Sequence, residues 1–221
     1  MILTLMRHPP TNGESETCLG QTNVELSLEG QTALIPLVGE ACRLRPDQIL
    51  CSDLKRCQVL AEAIAGRLGL FAESDPIWRE VNFGTWENRT WSDIQAREPQ
   101  VLSEWMANFD TVAPPGGESF QQLQARVLKG IENKILGDTG ETPVPRSGMN
   151  TGRTATPHFL VVTHAGVIRA AVSAFSRLPL RKAFELAVPY GSHTSFRRHG
   201  NRWSPLDIVA GRRSLSPKWA P

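Results

Sequence analysis

Met1-Ile2-Leu3-Thr4-Leu5-Met6-Arg7-His8 is an apolar run that stops at a cation and an imidazole, with Pro9, Pro10 and Thr11 behind it. A short apolar run of this kind reads as a strand covered on both faces. Such strands belong to parallel sheets, and open α/β sheets place their ligand crevices at the carboxyl ends of the strands. Phe159-Leu160-Val161-Val162-Thr163 repeats the pattern and ends on His164, followed by Ala165 and Gly166. Two strands that each deliver a histidine to the sheet edge predict one site assembled from both halves of the chain.

The segments between these runs alternate as a parallel sheet requires. Residues 27–44 carry Leu28, Ala33, Leu34, Leu37, Val38 and Ala41 near a 3.6 period, which predicts a helix after an Asn-, Gly-, Ser- and Thr-rich loop over 11–23. Residues 48–51 read as a strand. Ser52 and Asp53 then read as N-caps of a helix ending near 66–68. Strand, helix, strand and helix in that order argue for an α/β fold with crossover helices. The middle of the chain is more helical and holds Trp78, Trp86, Trp91 and Trp105, expected as core rather than as a stacking platform. A turn at 114–117 precedes Ser119-x-x-Gln122, a capping box opening a helix to about residue 135.

Composition narrows the class. With 24 basic and 22 acidic residues the formal charge is only +2, which argues against a nucleic-acid or membrane-surface partner. No apolar stretch reaches the length of a bilayer span, and Arg7 interrupts the first apolar run too early for a secretory signal. The cysteines (Cys18, Cys42, Cys51 and Cys57) lack CxxC or paired metal-ligand spacing, so reduced, partly buried thiols and a cytoplasmic protein are expected. The chain is expected to form one domain over 1–210, a monomer or homodimer. Residues 137–157, rich in Gly, Thr and Pro, are expected as a solvated insertion, and 211–221 as a loose tail.

Five motifs in order carry a resemblance. Arg7-His8-x-x-Thr11, Ser52-x-Leu54-x-Arg56, Arg79-Glu80-x-x-Phe83-Gly84-x-Trp86, Gly116-Gly117-Glu118-Ser119 and Val162-Thr163-His164-Ala165-Gly166-Val167-Ile168-Arg169 resemble the histidine phosphatase superfamily, the phosphoglycerate-mutase-like fold. The likeness covers roughly 1–136 and 158–200. It implies a three-layer sandwich, a mostly parallel central sheet flanked by helices, with a small helical cap. It also implies a phosphoryl-transfer enzyme in which His8 is the nucleophile, Arg7, Arg56 and His164 bind phosphate, and Glu80 is the proton donor.

The residue chemistry suits those roles. A neutral imidazole attacks phosphorus well when held in line, splitting hydrolysis into two easier steps through a phosphohistidine. The transferred group carries charge on three oxygens, which guanidinium forks and N–H donors neutralise. With these cations in place no metal or other cofactor is expected. Trp78, Phe83 and Trp86 lie beside Glu80 in sequence and are expected to desolvate its carboxyl. Thr11, Asn12, Gln21 and Thr22 are expected to border the substrate. His193 reads as a strand residue near the pocket rather than a catalyst.

One departure stands out. The family usually carries glycine after the nucleophilic histidine, and here that residue is Pro9. Proline removes a backbone donor and pushes His8 toward an extended conformation. For the substrate, a small phosphorylated metabolite, Cys18-Leu19-Gly20-Gln21-Thr22-Asn23-Val24-Glu25-Leu26 resembles a segment of the α-ribazole phosphatases, which often carry Asp at the position of Asn23. The short interval between Glu80 and Gly116 favours a phosphatase over a mutase. A cofactor-dependent phosphoglycerate mutase, a sugar-phosphate phosphatase, a phosphate-binding module without catalysis, and a metal hydrolase built on His8 and His164 remain the competing readings.

Overall fold

A computed structural model describes residues 1–12, 16–137 and 156–208. In chain order the strands are β1 (Ile2–Arg7), β2 (Thr17–Cys18), β3 (Gln48–Cys51), β4 (Ala72–Ser74), β5 (Arg89–Thr90), β6 (His158–Thr163), β7 (His193–His199) and β8 (Arg202–Ile208). The helices are α1 (Leu28–Leu44), α2 (Lys55–Leu68), α3 (Trp91–Arg97), α4 (Pro99–Asn108), α5 (Phe120–Ile131), α6 (Ala165–Ser176) and α7 (Leu180–Phe184). Six strands form the central sheet in the order β4-β3-β6-β1-β7-β8, parallel from β4 through β1 and antiparallel at β7 and β8. β2 and β5 pair separately, so part of the loop expected over 11–23 is a short ribbon.

The apolar runs are continuous because both faces are covered. Leu3, Leu5, Phe159 and Val161 turn toward the layer containing α5 and α6, where Leu123, Val127, Val167 and Ile168 meet them. Met6, Leu160 and Val162 turn the other way, onto Leu60, Ala61 and Ile64 of α2 and Ala41 of α1. Helices, sheet and helices make the three expected layers. Each fully buried aliphatic chain here contributes about 1.5–3 kcal/mol of transfer free energy.

Local signals held unevenly. At α5 the capping box is complete: Ser119 Oγ accepts from the Gln122 amide at 3.3 Å, and Gln122 Oε1 accepts from the Ser119 amide at 2.7 Å. Its α-helical hydrogen bonding ends at Ile131, and one π-turn over Glu132–Leu136 carries the chain to Gly137 at φ 69°. The cap expected for α2 lies elsewhere. Leu54 is the N-cap residue and contributes no side-chain bond. Ser52 Oγ instead accepts from the Leu54 amide, and the Asp53 carboxylate pairs with Arg79. Asn23, from the facing loop, takes the Lys55 amide at 2.9 Å.

The expected insertion at 137–157 falls mostly, and the tail wholly, outside the described residues. All four cysteines are free thiols. Among the described residues no helix is long and apolar enough to cross a membrane.

Candidate active site

The register of β1 against β6 assembles the centre of the site. Arg7 lies opposite Thr163, so His8 and His164 are the next residues on two adjacent parallel strands. The His8 amide donates to the Thr163 carbonyl at 3.0 Å, and the two rings meet edge to face with centroids 5.1 Å apart. Both imidazoles are buried. Desolvation, reinforced by the guanidinium charges of Arg56 and Arg7, holds the pKa of each well below the ordinary histidine value. Both rings are therefore neutral near pH 7.

Their tautomers follow from their partners. His8 Nδ1 lies 2.7 Å from the Pro9 carbonyl, which can only accept, so Nδ1 carries the proton and Nε2 keeps its lone pair. Pro9 thus supplies through its carbonyl what any residue could supply there, and its missing amide leaves this bond untouched. For His164 the logic is reversed. The Arg56 Nε–H donates to His164 Nδ1 at 3.3 Å, which leaves the hydrogen on Nε2. Cys57 Sγ lies 3.4 Å from that Nε2, and burial pushes the thiol pKa up, so it stays protonated.

The arginines come from different layers. Arg56, on the first turn of α2, is buried and also donates from Nη1 to the Thr22 carbonyl and from Nη2 to the Gly20 carbonyl, each at 2.7 Å. Arg7 donates to the Val188 carbonyl at 2.5 Å and lies over the Tyr190 ring, 3.8 Å from its centroid. The same ring is 5.5 Å from that of His8. Successive strand residues normally diverge, so a shared contact with Tyr190 shows that the pleat ends at Arg7.

Glu80 reaches the same edge from the segment after β4. Its carboxylate accepts the Gly166 amide at 3.1 and 3.2 Å, at the N-terminus of α6. That approach needs glycine: a Cβ at 166 would overlap Glu80 Oε1. Of the aromatic neighbours expected around it, Phe83 lines the same pocket. Trp86 instead donates to Glu98 and packs on Trp91 and Trp105, and Trp78 packs beneath Gly130. The tryptophan-rich middle is core, as expected, and one side of it also walls this pocket.

Gln21 and Thr22 are joined to the site. Gln21 donates from Nε2 to the Glu80 carbonyl at 3.0 Å and accepts from Arg79, and the Thr22 carbonyl is held by Arg56. Thr11 and Asn12 are joined instead to Leu26 and Glu25 through their backbones. His193 opens β7 and faces Glu40 of α1 at 3.3 Å.

Three positioning groups escape a reading of the sequence. Glu87 accepts from the Gln21 and Phe83 amides and from the Thr22 hydroxyl, tying the 20–22 loop to the 83–87 turn. Arg126, paired with Glu118, donates to the carbonyls of Ile77, Arg79 and Glu80 and so clamps the backbone that carries Glu80. Tyr190 is the third. Glu118 lies within a quoted motif and Glu87 directly follows one, and Tyr190 is the single tyrosine of the chain. No local pattern marks Arg126.

A parallel sheet carrying paired histidines and two arginines at its carboxyl edge is the architecture of the phosphoglycerate-mutase-like class. The family model described as histidine phosphatase superfamily (branch 1) matches residues 3–210, so the chain belongs to that superfamily. It is 27% identical over 199 residues to a bifunctional protein of Mycobacterium tuberculosis, covering 89% of this chain but 47% of the relative. The chain thus spans about half the length of that relative. Glucosyl-3-phosphoglycerate phosphatase of the same organism is 28% identical, over 92% of this chain and 86% of its own. Adenosylcobalamin/alpha-ribazole phosphatase of Salmonella typhimurium is 25% identical, over 76% and 71%. The native structure of mycobacterial glucosyl-3-phosphoglycerate phosphatase superposes with a TM-score of 0.73 at 26% identity, covering 96% of this chain and 99% of the other.

Proposed function

We propose that this chain is a metal-independent phosphomonoesterase that hydrolyses a small phosphorylated metabolite through a phosphohistidine at His8. The observation that carries the reading is the His8 ring itself, buried, neutral and holding its Nδ1 proton against Pro9, so that Nε2 is the nucleophilic atom. His8 Nε2 attacks phosphorus, and the bond from phosphorus to the leaving oxygen breaks. Glu80 gives that oxygen its proton. Water then attacks the phosphohistidine, Glu80 takes the water's proton, and inorganic phosphate leaves with His8 restored. Arg7, Arg56 and His164 hold the equatorial oxygens, a task that favours fixed donors in a dry site.

Gln21 and Thr22 border the substrate, with Thr11 and Asn12 further out. Alpha-ribazole 5′-phosphate is the first candidate, supported by the 18–26 segment and the Salmonella relative. Glucosyl-3-phosphoglycerate is the second, supported by the higher identity and coverage of the mycobacterial relative. The proposed enzyme works in the cytoplasm as a monomer or homodimer.

The test combines a substrate screen with chemical trapping. Turnover of at least one of these esters, undiminished by EDTA, is expected, with 2- and 3-phosphoglycerate interconversion run alongside to score a mutase. Acid-labile, base-stable phosphoenzyme should accumulate in the wild type, and both it and turnover should vanish in His8→Ala. Retained turnover in that variant would overturn the mechanism.

A further inference from the structure

Residues 188–192, the loop before β7, grip Arg7 through both its backbone and its side chain. The Arg7 amide donates to the Ser192 carbonyl at 2.9 Å, and the Gly191 amide reaches the Arg7 and His8 carbonyls at 3.2 and 3.3 Å. The guanidinium donates to the Val188 carbonyl. Gly191, at φ 73°, shapes the turn, and a Cβ there would overlap Leu37 of α1. Tyr190 adds a ring to that grip, with the Arg7 guanidinium 3.8 Å from its centroid and the His8 ring 5.5 Å away. The residue is 46% exposed, so part of the ring covers Arg7 and part meets solvent.

Resting on the phosphatase reading, we infer that Tyr190 is a positioning residue that sets the affinity of the site for the phosphoryl group through Arg7, whatever organic group the phosphate carries. A guanidinium stacks on an aromatic face because it is planar, delocalised and weakly hydrated, and the negative face of the ring attracts it. The stack fixes the plane of Arg7 and with it the directions of its N–H groups, which all lie in that plane. It also keeps water off one face of the cation, and a charge with less water around it acts more strongly on a phosphoryl oxygen. A substitution at 190 removes the ring alone. The bonds from the loop to Arg7 come from the backbone of residues 188, 191 and 192 and stay in place.

Inorganic phosphate, titrated by calorimetry, reads this without turnover. Tyr190→Leu should bind it about ten-fold more weakly than the wild type, equivalent to ~1.4 kcal/mol. Tyr190→Phe, which keeps the ring, should stay within about two-fold. In Tyr190→Leu, kcat/KM should fall by one common factor for nitrophenyl phosphate and an alkyl phosphate, because the ring acts on the part these esters share. Tyr190 is the single tyrosine of the chain, so fluorotyrosine labels it alone, and its fluorine resonance should shift as phosphate binds. Unchanged phosphate affinity in Tyr190→Leu, an equal loss in Tyr190→Phe, a loss confined to one ester, or a resonance indifferent to bound phosphate would each overturn the inference. A wild type that binds no phosphate would remove the phosphatase reading and the inference together. One that binds phosphate with the expected dependence on the ring, yet turns over no phosphomonoester, would sink the phosphatase reading and leave the role of Tyr190 standing.

Discussion

At the scale of single residues the site depends on which nitrogen carries which proton. His8 and His164 are both neutral, yet opposite tautomers are selected, one by a carbonyl acceptor and the other by a guanidinium donor. The histidines and arginines were legible in the sequence because each sits inside a short motif at a strand or helix end. The tautomer of His164 was not, because Arg56 and His164 are 108 residues apart. Glu80 bears the sharpest residue-level prediction. Glu80→Gln should slow alkyl phosphates by about 10²–10⁴-fold, the usual worth of a general acid. Nitrophenyl phosphate, whose leaving group needs no proton, should lose far less in a measurement of kcat. Equal losses would remove Glu80 from the acid role.

At the scale of elements, α6 governs how that carboxylate is held. Its first turn gives an amide to Glu80, and only a residue without Cβ permits the approach. Gly166→Ala should therefore behave as a displaced acid: kcat for alkyl phosphates falls by about 10²-fold, as small misplacements of reacting groups commonly cost. Since alanine suits a helix better than glycine by about 1 kcal/mol, the melting temperature should hold. A variant that loses stability and activity together would point to misfolding instead. Elements built on one local pattern were legible, such as β1, β6 and the boxed start of α5. The start of α2 was misread because the groups competing for Ser52 and Asp53, above all Arg79, arrive from other segments. The clamp of Arg126 on residues 77–80 was hidden for the same reason, its partners lying 46 to 49 positions away.

At the scale of the whole molecule, burial of three histidines sets a pH dependence. His8, His164 and His158 all have pKa values lowered in the folded chain, chiefly by desolvation. Unfolding restores them to about 6.5. Above that value neither state binds the proton, and the stabilisation is whole. Below it the unfolded chain takes up protons that the native chain refuses, so acid drives unfolding. The melting temperature should be level from pH 8 to 7 and fall as the pH drops from about 6.5 to 5, with a shallower fall in His8→Asn. A melting temperature that rises toward pH 5 contradicts the assignment. The strand order carries a further consequence. β6 lies between β1 and β3, although the chain makes it long after both. A nascent polypeptide that has emerged only as far as β4 holds His8 at the end of β1 and Arg56 on α2 with no strand yet between β1 and β3 to join them. His8 and His164 can therefore meet only after the chain has passed residue 164, and a polypeptide ended before residue 158 lacks the strand that pairs them.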